Sequence, residues 1–249
     1  MELHRDGEIA VLRLKRGKAN AINDGFLERL SALTGELGDA RALVITGHEG
    51  FFSGGLDLPA VLAMGEVELR GFIDRFGEGM LRIFELPLPV VAAVNGHAIA
   101  GGCVLALQCD VRLMAEGTAR IGLSEAQLGI GLPPLVVETL RCQVPVSSLL
   151  PIALEGKLFE PAEARRLGLI DEVVPAAALE SRAVARAREL ASAPLAAFAQ
   201  IKASLRKPVV AAIRADQGQG SERWVKTWFS PGGQERVRAA VARLNRKKL

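Results

Sequence analysis

The stretch that most constrains the fold begins with Pro89 and a run of five apolar residues, Val90–Val94. A short and mostly β-branched run after a proline predicts a strand buried on both faces. A turn at Asn95-Gly96 follows, then a bend at the pair Gly101-Gly102 and an apolar segment over residues 103–107 with helical character. This stretch therefore predicts a buried strand joined through glycine turns to a helix.

The pair Gly101-Gly102 allows two interpretations. Adjacent glycines before a helix leave main-chain N–H groups uncovered by side chains, and the helix start adds partial positive charge. Such a place could hold a developing negative charge. The alternative is a tight turn that needs glycine only for close packing. This stretch alone favours the packing interpretation.

A second glycine pair, Gly54-Gly55, has the same setting. A buried strand is predicted over residues 41–46, and a helix is predicted to begin just after the pair, with Asp57 in its first turn. The chain has 26 glycines, so glycine pairs also occur by chance. A strand ahead of each pair makes chance a weaker explanation, and each turn could supply one N–H group to the same oxygen.

Glu125 is a single acid in an apolar segment that contains Ile121, Leu123, Leu128 and Ile130. Such surroundings should desolvate the carboxylate and raise its pKa towards the range of a general base. A helix cap or a salt-bridged loop acid would have the same sequence, so both interpretations stay open on the residues alone.

Two basic segments are candidates for contact with an anion. Arg16 and Lys18 flank Gly17 in a basic turn, and Arg243 lies on the last predicted helix, over residues 234–245. Both segments are also typical of solvated surface.

Composition excludes several classes of protein. The net charge of +3 is too small to indicate a nucleic-acid-binding protein. Three cysteines without a CxxC pair indicate a reducing compartment and give no metal-site signature. Residues 90–109 have the length of a membrane span but include Asn95, His97 and three glycines, so a buried strand and helix are expected instead. The N-terminus lacks a signal-peptide pattern, and a cytoplasmic location is therefore expected.

The remaining pattern predicts a strand-rich core over residues 1–190 and a helical region over residues 191–249. Further strands are predicted over residues 8–14, 110–114 and 169–174. Helices are predicted over residues 25–37, 66–86, 135–142, 147–154, 161–168, 178–191, 195–205, 208–217, 221–229 and 234–245. No GxGxxG, P-loop or GxSxG pattern is present.

Four motifs, in this order and spacing, resemble the crotonase (enoyl-CoA hydratase/isomerase) superfamily: residues 18–23, 52–58, 94–103 and the pair Cys109-Asp110. The resemblance covers essentially the whole chain. It implies an α/β fold, a spiral of ββα units with a helical C-terminal part that forms trimers or dimers of trimers. It also implies an acyl-CoA thioester substrate, with coenzyme A as part of the substrate and no separate cofactor.

The resemblance assigns roles by motif position. The N–H groups of Leu56 and Gly101 would hold the thioester enolate, and Glu125 would be the catalytic carboxyl. The substrate-binding residues that it implies are Arg16, Lys18, Ala19, Ala21, Ser53, Gly54, Gly55, Asp57, Leu58, Gly102 and Arg243.

Val104 is the residue that favours an isomerase over a hydratase, because the hydratases of this family carry a second glutamate at its position. Hydration divides the activation of water and the delivery of a proton between two carboxyls, whereas moving a double bond needs one base that carries a proton from C2 to C4. Residues 121–130, 158–164 and 169–175 resemble the mitochondrial-type Δ3,Δ2-enoyl-CoA isomerases, although Ser124 replaces their usual Asn. The predicted function is therefore isomerisation of 3-enoyl-CoA to 2-enoyl-CoA in fatty-acid β-oxidation.

Three alternatives remain open. One is an enoyl-CoA hydratase that uses a single acid. Another is a different acyl-CoA enolate reaction, such as decarboxylation or dehalogenation. The third is a non-catalytic or RNA-associating member of the family, against which the modest net charge argues.

Overall fold

A computed structural model describes residues 1–48 and 50–246. The strands are β1 (Glu2–Asp6), β2 (Ile9–Arg13), β3 (Ala42–Thr46), β4 (Phe51–Ser53), β5 (Val90–Val94), β6 (His97–Ile99), β7 (Val111–Ala115), β8 (Ile121–Gly122) and β9 (Glu172–Val174). The α-helices are α1 (Asp24–Glu36), α2 (Leu58–Leu62), α3 (Glu66–Glu85), α4 (Gly101–Leu107), α5 (Pro134–Gln143), α6 (Pro161–Arg166), α7 (Leu179–Ala191), α8 (Leu195–Trp228) and α9 (Pro231–Arg246).

The strands form two sheets that are built by the same repeating unit. The larger sheet has the order β1-β2-β3-β5-β7-β9, and the smaller one has the order β4-β6-β8. The hairpin of β1 and β2 is antiparallel, and the other pairings are parallel. After the β1–β2 hairpin, the pairs β3 and β4, β5 and β6, and β7 and β8 each add one strand to each sheet before the chain enters the next helix. This is the predicted α/β fold of ββα units.

The predicted strand at β5 is confirmed, and all of its residues are buried. Side chains alternate between the two faces of a strand. Val91 and Ala93 belong to the apolar cluster that packs under α7, whereas Val90, Ala92 and Val94 belong to the main core. Burial on both faces explains why this run contains no polar residue.

The start of α4 differs from the prediction of a bend at Gly101-Gly102. A short strand, β6, precedes the helix, and the sharp change of direction falls on Ala100, whose φ is +51°. Both glycines then lie inside the first turn of α4. Gly102 needs its small size there, because a Cβ would lie 2.1 Å from the carbonyl oxygen of Ser53.

The prediction of three helices between residues 195 and 229 is wrong, because α8 runs through this whole region. Pro208 removes one main-chain hydrogen bond without ending the helix. Packing of α8 against α3 and α5 compensates for this loss. Gly220 does not end the helix either, because it packs against Pro134, with a Cβ position 2.0 Å from the Pro134 Cγ.

The predicted division at residue 190 falls at the end of α7, and the helices after it are α8 and α9. Residues 247–249 of the predicted helical region lie outside the described residues. Within the described part of the chain, no helix combines the length and the apolar character needed to cross a membrane.

Candidate active site

The two predicted glycine turns meet in the structure. A Cβ on Gly55 would lie 3.0 Å from the Gly101 nitrogen and 2.8 Å from the Ile99 oxygen. A Cβ on Gly101 would lie 3.3 Å from the Gly55 Cα. Gly55 also has a φ of +87°, which side chains strongly disfavour. The sequence separation of the turns is large, yet their backbones are in direct contact.

The amide of Leu56 is left free by the pairing of its neighbours. The Ile22 nitrogen donates to the Gly55 oxygen at 2.8 Å, and the Asp57 nitrogen donates to the Ile22 oxygen at 2.9 Å. In parallel pairing, the N–H group of the intervening Leu56 points away from residue 22. The Gly101 amide is in the first turn of α4, where helical N–H groups have no partner within the helix. Neither amide donates a hydrogen bond to another residue of the described chain.

Ser53 shapes the first glycine turn. Its hydroxyl is fully buried, donates to the Asn20 oxygen at 2.9 Å and accepts the Gly55 N–H at 3.2 Å. Its carbonyl oxygen lies against Gly102. The main chain around both amides is therefore tightly packed, and the contact leaves no room for a larger residue at position 102.

Asn20 is a residue of this region that the sequence did not single out. It is fully buried with a φ of +49°, a conformation that asparagine tolerates better than most residues. Its amide donates to the Phe52 oxygen at 3.0 Å, and its side-chain oxygen accepts the Arg16 N–H at 2.9 Å. The Gly54 nitrogen donates to the Ala19 oxygen at 2.8 Å. These bonds dock the basic loop onto β4.

The three predicted cations lie on the surface. Arg16, Lys18 and Arg243 are exposed. The Arg16 guanidinium lies over Gly25, where a Cβ would be 3.0 Å from Nη2. Ala21, like Ala19, is half-buried beside the docked loop.

Asp57 and Leu58 are half-buried at the start of α2. The Asp57 Oδ2 accepts a hydrogen bond from the Asn23 Nδ2 at 3.2 Å. Asn23 also caps α1 by accepting the Phe26 N–H at 3.2 Å. The carboxylate of Asp57 therefore joins the start of α2 to the start of α1, and no capping bond to its own helix is formed.

Glu125 is buried, with 8% of its surface exposed, as its apolar neighbours predict. Its Oε2 has no hydrogen-bond partner among the described residues. Burial raises the pKa of Glu125 to about 7, and the amides of residues 125 and 124 oppose this shift. Near neutral pH both protonation states are accessible, which a group that takes up and returns a proton requires.

The chain segments that carry Glu125 and Gly101 are joined through the small sheet. Ile99 pairs with Gly122, and the Ala100 nitrogen donates to the Gly122 oxygen at 2.9 Å. The carboxylate of Glu125 also contributes, after burial, to the raised pKa of Cys103 on α4. Glu125 and the second glycine turn are therefore neighbours.

Val104 is almost fully buried on α4. An apolar side chain stands where a second acid would be expected in a hydratase. Within residues 1–48 and 50–246, no group of three or more His, Cys, Asp or Glu side chains is arranged to hold a metal ion.

Comparison with known proteins gives the family. The family model described as enoyl-CoA hydratase/isomerase matches residues 4–232. The chain belongs to the enoyl-CoA hydratase/isomerase family. The family predicted from the four sequence motifs is therefore confirmed.

Relatives of this chain include both enoyl-CoA isomerases and enoyl-CoA hydratases. It is 29% identical over 245 residues to the Homo sapiens protein enoyl-CoA delta isomerase 1, mitochondrial, covering 96% of this chain and 81% of the human one. It is 33% identical over 206 residues to the short-chain-enoyl-CoA hydratase of Clostridium acetobutylicum, covering 78% and 76%. The crystal structure of human mitochondrial delta3-delta2-enoyl-CoA isomerase matches with a TM-score of 0.95 at 29% identity, covering 100% of this chain and 99% of that one. The choice between the two reactions therefore depends on the residues of the site.

Proposed function

We propose that this enzyme converts a 3-enoyl-CoA into the conjugated 2-enoyl-CoA. The observation that carries the proposal is the buried Glu125, whose pKa is raised to about 7 and whose Oε2 has no hydrogen-bond partner among the described residues. The free amides of Leu56 and Gly101 add a pair of hydrogen-bond donors for the thioester oxygen.

The reaction follows from these groups. The Glu125 carboxylate removes a proton from C2, and the electron pair spreads onto the thioester oxygen and, through the double bond between C3 and C4, onto C4. The amides of Leu56 and Gly101 donate hydrogen bonds to this dienolate oxygen, each lowering the barrier by about 3 kcal/mol. Protonated Glu125 then delivers its proton to C4, which leaves the double bond between C2 and C3 and regenerates the carboxylate. No water is consumed.

Two observations favour isomerisation over hydration. The buried and apolar Val104 occupies the position at which the resemblance places the second glutamate of a hydratase. The match to the human isomerase structure also extends over the whole chain, including α8 and α9.

Substrate binding and assembly complete the proposal. The CoA phosphates bind Arg16 and Lys18, with Arg243 as a further cation. The acyl-CoA lies along Ala19, Ala21, Ser53, Gly54, Gly55, Asp57, Leu58 and Gly102. Coenzyme A enters as part of the substrate, with no separate cofactor, and the enzyme acts in the cytoplasm as a homotrimer or a dimer of trimers.

A side-by-side assay with 3-hexenoyl-CoA and crotonyl-CoA tests the reaction. We expect the wild-type enzyme to isomerise 3-hexenoyl-CoA and to hydrate crotonyl-CoA far more slowly. Glu125→Gln should lower isomerisation by about 10³-fold, because a general acid–base group typically contributes 10²- to 10⁴-fold. Glu163→Gln makes the same chemical change on the surface of α6 and should leave the rate unchanged. Isomerisation by Glu125→Gln near the wild-type rate would refute the proposal.

Hydration is the second candidate, favoured by the Clostridium acetobutylicum relative. Comparable rates with both substrates would support a hydratase that manages with one acid. A panel of malonyl-type and halogenated acyl-CoA thioesters covers decarboxylation and dehalogenation. Turnover of none of these, together with salt-sensitive RNA binding, would indicate the non-catalytic alternative.

A further inference from the structure

The orientation of Glu125 is set by the turn that follows it. The turn is a 3-10 turn over Ala126–Leu128 that ends at Gly129, whose φ is +71°. The Glu125 carbonyl oxygen accepts N–H groups from Leu128 at 2.9 Å and from Ile130 at 3.1 Å. The Glu125 Oε2 has no partner among the described residues. Any movement of this turn would therefore move the carboxyl with it.

Two side chains from the corner between α8 and α9 bond to this turn and the residues after it. The Gly131 nitrogen donates to the Thr227 Oγ1 at 2.8 Å, and the Arg236 Nη1 donates to the Gln127 oxygen at 3.1 Å. The Thr227 hydroxyl donates its own proton to the Trp224 oxygen at 2.7 Å, which leaves its oxygen oriented to accept. These bonds span sequence separations of about a hundred residues.

Close packing adds to the two hydrogen bonds. A Cβ on Gly129 would lie 3.3 Å from the Arg236 Cδ and 3.4 Å from the Gly232 oxygen. On the other side, a Cβ on Gly156 would lie 3.2 Å from the Gln127 nitrogen. The turn is therefore held between the α8–α9 corner and the segment around residue 156.

The same corner contacts the other half of the site. Helix α9 packs against the turn Ala126–Leu128 and also against α2, which begins two residues after Leu56. We propose that Thr227 and Arg236 are positioning residues, which fix Glu125 relative to the amides that receive the thioester oxygen. This inference rests on the proposed function of Glu125.

Four variants test the inference in the full-length enzyme. Thr227→Val removes the acceptor with little change of shape, and Arg236→Met removes the donor but keeps the aliphatic stem. Thr227→Ser and Arg236→Lys restore the hydroxyl and the cation. Arg238→Met is the matched control, because the Arg238 guanidinium bonds to Gln234 within α9.

The readouts are kcat and KM with 3-hexenoyl-CoA, the pH profile of kcat, and Tm. We expect Thr227→Val and Arg236→Met to lower kcat about tenfold or more, because small displacements of a reacting group are costly. KM should stay within about twofold. The Ser and Lys variants should recover most of the rate, and Arg238→Met should match the wild type.

The pKa of the Glu125 carboxyl, followed by ¹³C NMR titration and assigned with Glu125→Gln, gives a readout independent of turnover. A loosened turn admits water, so this pKa should fall towards its ordinary value in Thr227→Val. Titratable and charged groups around the turn include Cys103 from α4, Arg141 from α5, Arg236 from α9, and Glu155 paired with Lys157. Thr227→Val changes none of these charges, so a change of the Glu125 pKa in this variant reports a change in the position of the carboxyl.

The two proposals fail in different ways. Wild-type kcat and an unchanged Glu125 pKa in Thr227→Val and Arg236→Met would overturn the positioning role, even with an inactive Glu125→Gln. A lower Tm with both readouts unchanged would also overturn it. Activity of Glu125→Gln would instead overturn the proposed function.

Discussion

The burial of Glu125 has a thermodynamic cost that depends on pH. Its folded-state pKa is raised from 4.5 to about 7, so the folded protein holds this proton more tightly than the unfolded chain does. The contribution of Glu125 to stability is therefore greatest below pH 4.5, and it is lost as the pH rises from 4.5 to about 7. Above pH 7 the cost approaches about 3 kcal/mol, at 1.36 kcal/mol for each pKa unit.

Glu125→Gln should consequently stabilise the protein at alkaline pH. We expect its unfolding free energy to exceed that of the wild type by up to about 3 kcal/mol at about pH 8.5, and by much less at about pH 5. Urea unfolding at the two pH values measures the difference, with Glu163→Gln as the control. An equal difference at both pH values would contradict the burial argument.

Two glycine-to-alanine changes should act in opposite directions. Gly102→Ala places a Cβ 2.1 Å from the Ser53 oxygen, and the main chain of both turns would have to move. We expect a loss of about 1–3 kcal/mol and a large loss of activity. Gly35→Ala, in α1 with no atom within 4 Å of its Cβ, should gain about 0.5–1 kcal/mol.

Thermal unfolding and the isomerase assay measure both glycine variants. Wild-type activity in Gly102→Ala would show that the contact between the two turns is not needed.

A property of the site could be predicted from the sequence where the residues that cause it are close together in the chain. The apolar neighbours of Glu125 are close to it in the chain, so its desolvation was predictable. The contact between Gly55 and Gly101 depends on the pairing of β4 with β6, which only the folded sheet establishes. Thr227 and Arg236 were not identified because their partners lie about a hundred residues away.

At the level of elements, α8 is fixed to the core by one half-buried acid, Asp110, between two buried cations. The Asp110 carboxylate accepts hydrogen bonds from the Lys202 Nζ at 2.8 Å and from the Val90 nitrogen at 2.7 Å. It also pairs with the Arg206 Nη2 at 2.7 Å. Burial lowers the pKa of Lys202 to about 8, so pairing with Asp110 does not fully offset the desolvation of this ammonium group. The sequence pattern predicts a helix end at Leu205 and a new helix from Pro208, because a local pattern does not include these long-range contacts.

Removing the anion should therefore cost much more than removing one cation. We expect Asp110→Asn to lose about 3–5 kcal/mol, because two buried cations would remain without their partner. Lys202→Met leaves a one-to-one pair of Asp110 with Arg206 and should lose less than about 1.5 kcal/mol. Urea unfolding of both variants measures the order, and equal losses would contradict this account.

At the level of the whole molecule, exposed apolar side chains support the proposed assembly into trimers. Val146, Leu150 and Leu154 are 80%, 57% and 73% exposed. A groove of about 490 Å³ adjoins them, lined by residues that include Ile130, Leu149 and Ala153. Exposed apolar surface of this kind is typical of an interface.

Sedimentation velocity should give a mass of three or six times the chain mass of 26.5 kDa. A dilution series should leave this mass unchanged at micromolar concentration. A single species at the mass of one chain would contradict the proposed trimer.

The packing of α9 on both halves of the site has a consequence during translation. Helix α9 follows Glu125 by about a hundred residues, so a ribosome completes both glycine turns and the glutamate well before it makes α9. A nascent chain without α9 carries the proposed reacting groups but lacks the helix that we propose holds them in position. Acyl-CoA turnover should therefore begin only after α9 has left the ribosomal exit tunnel.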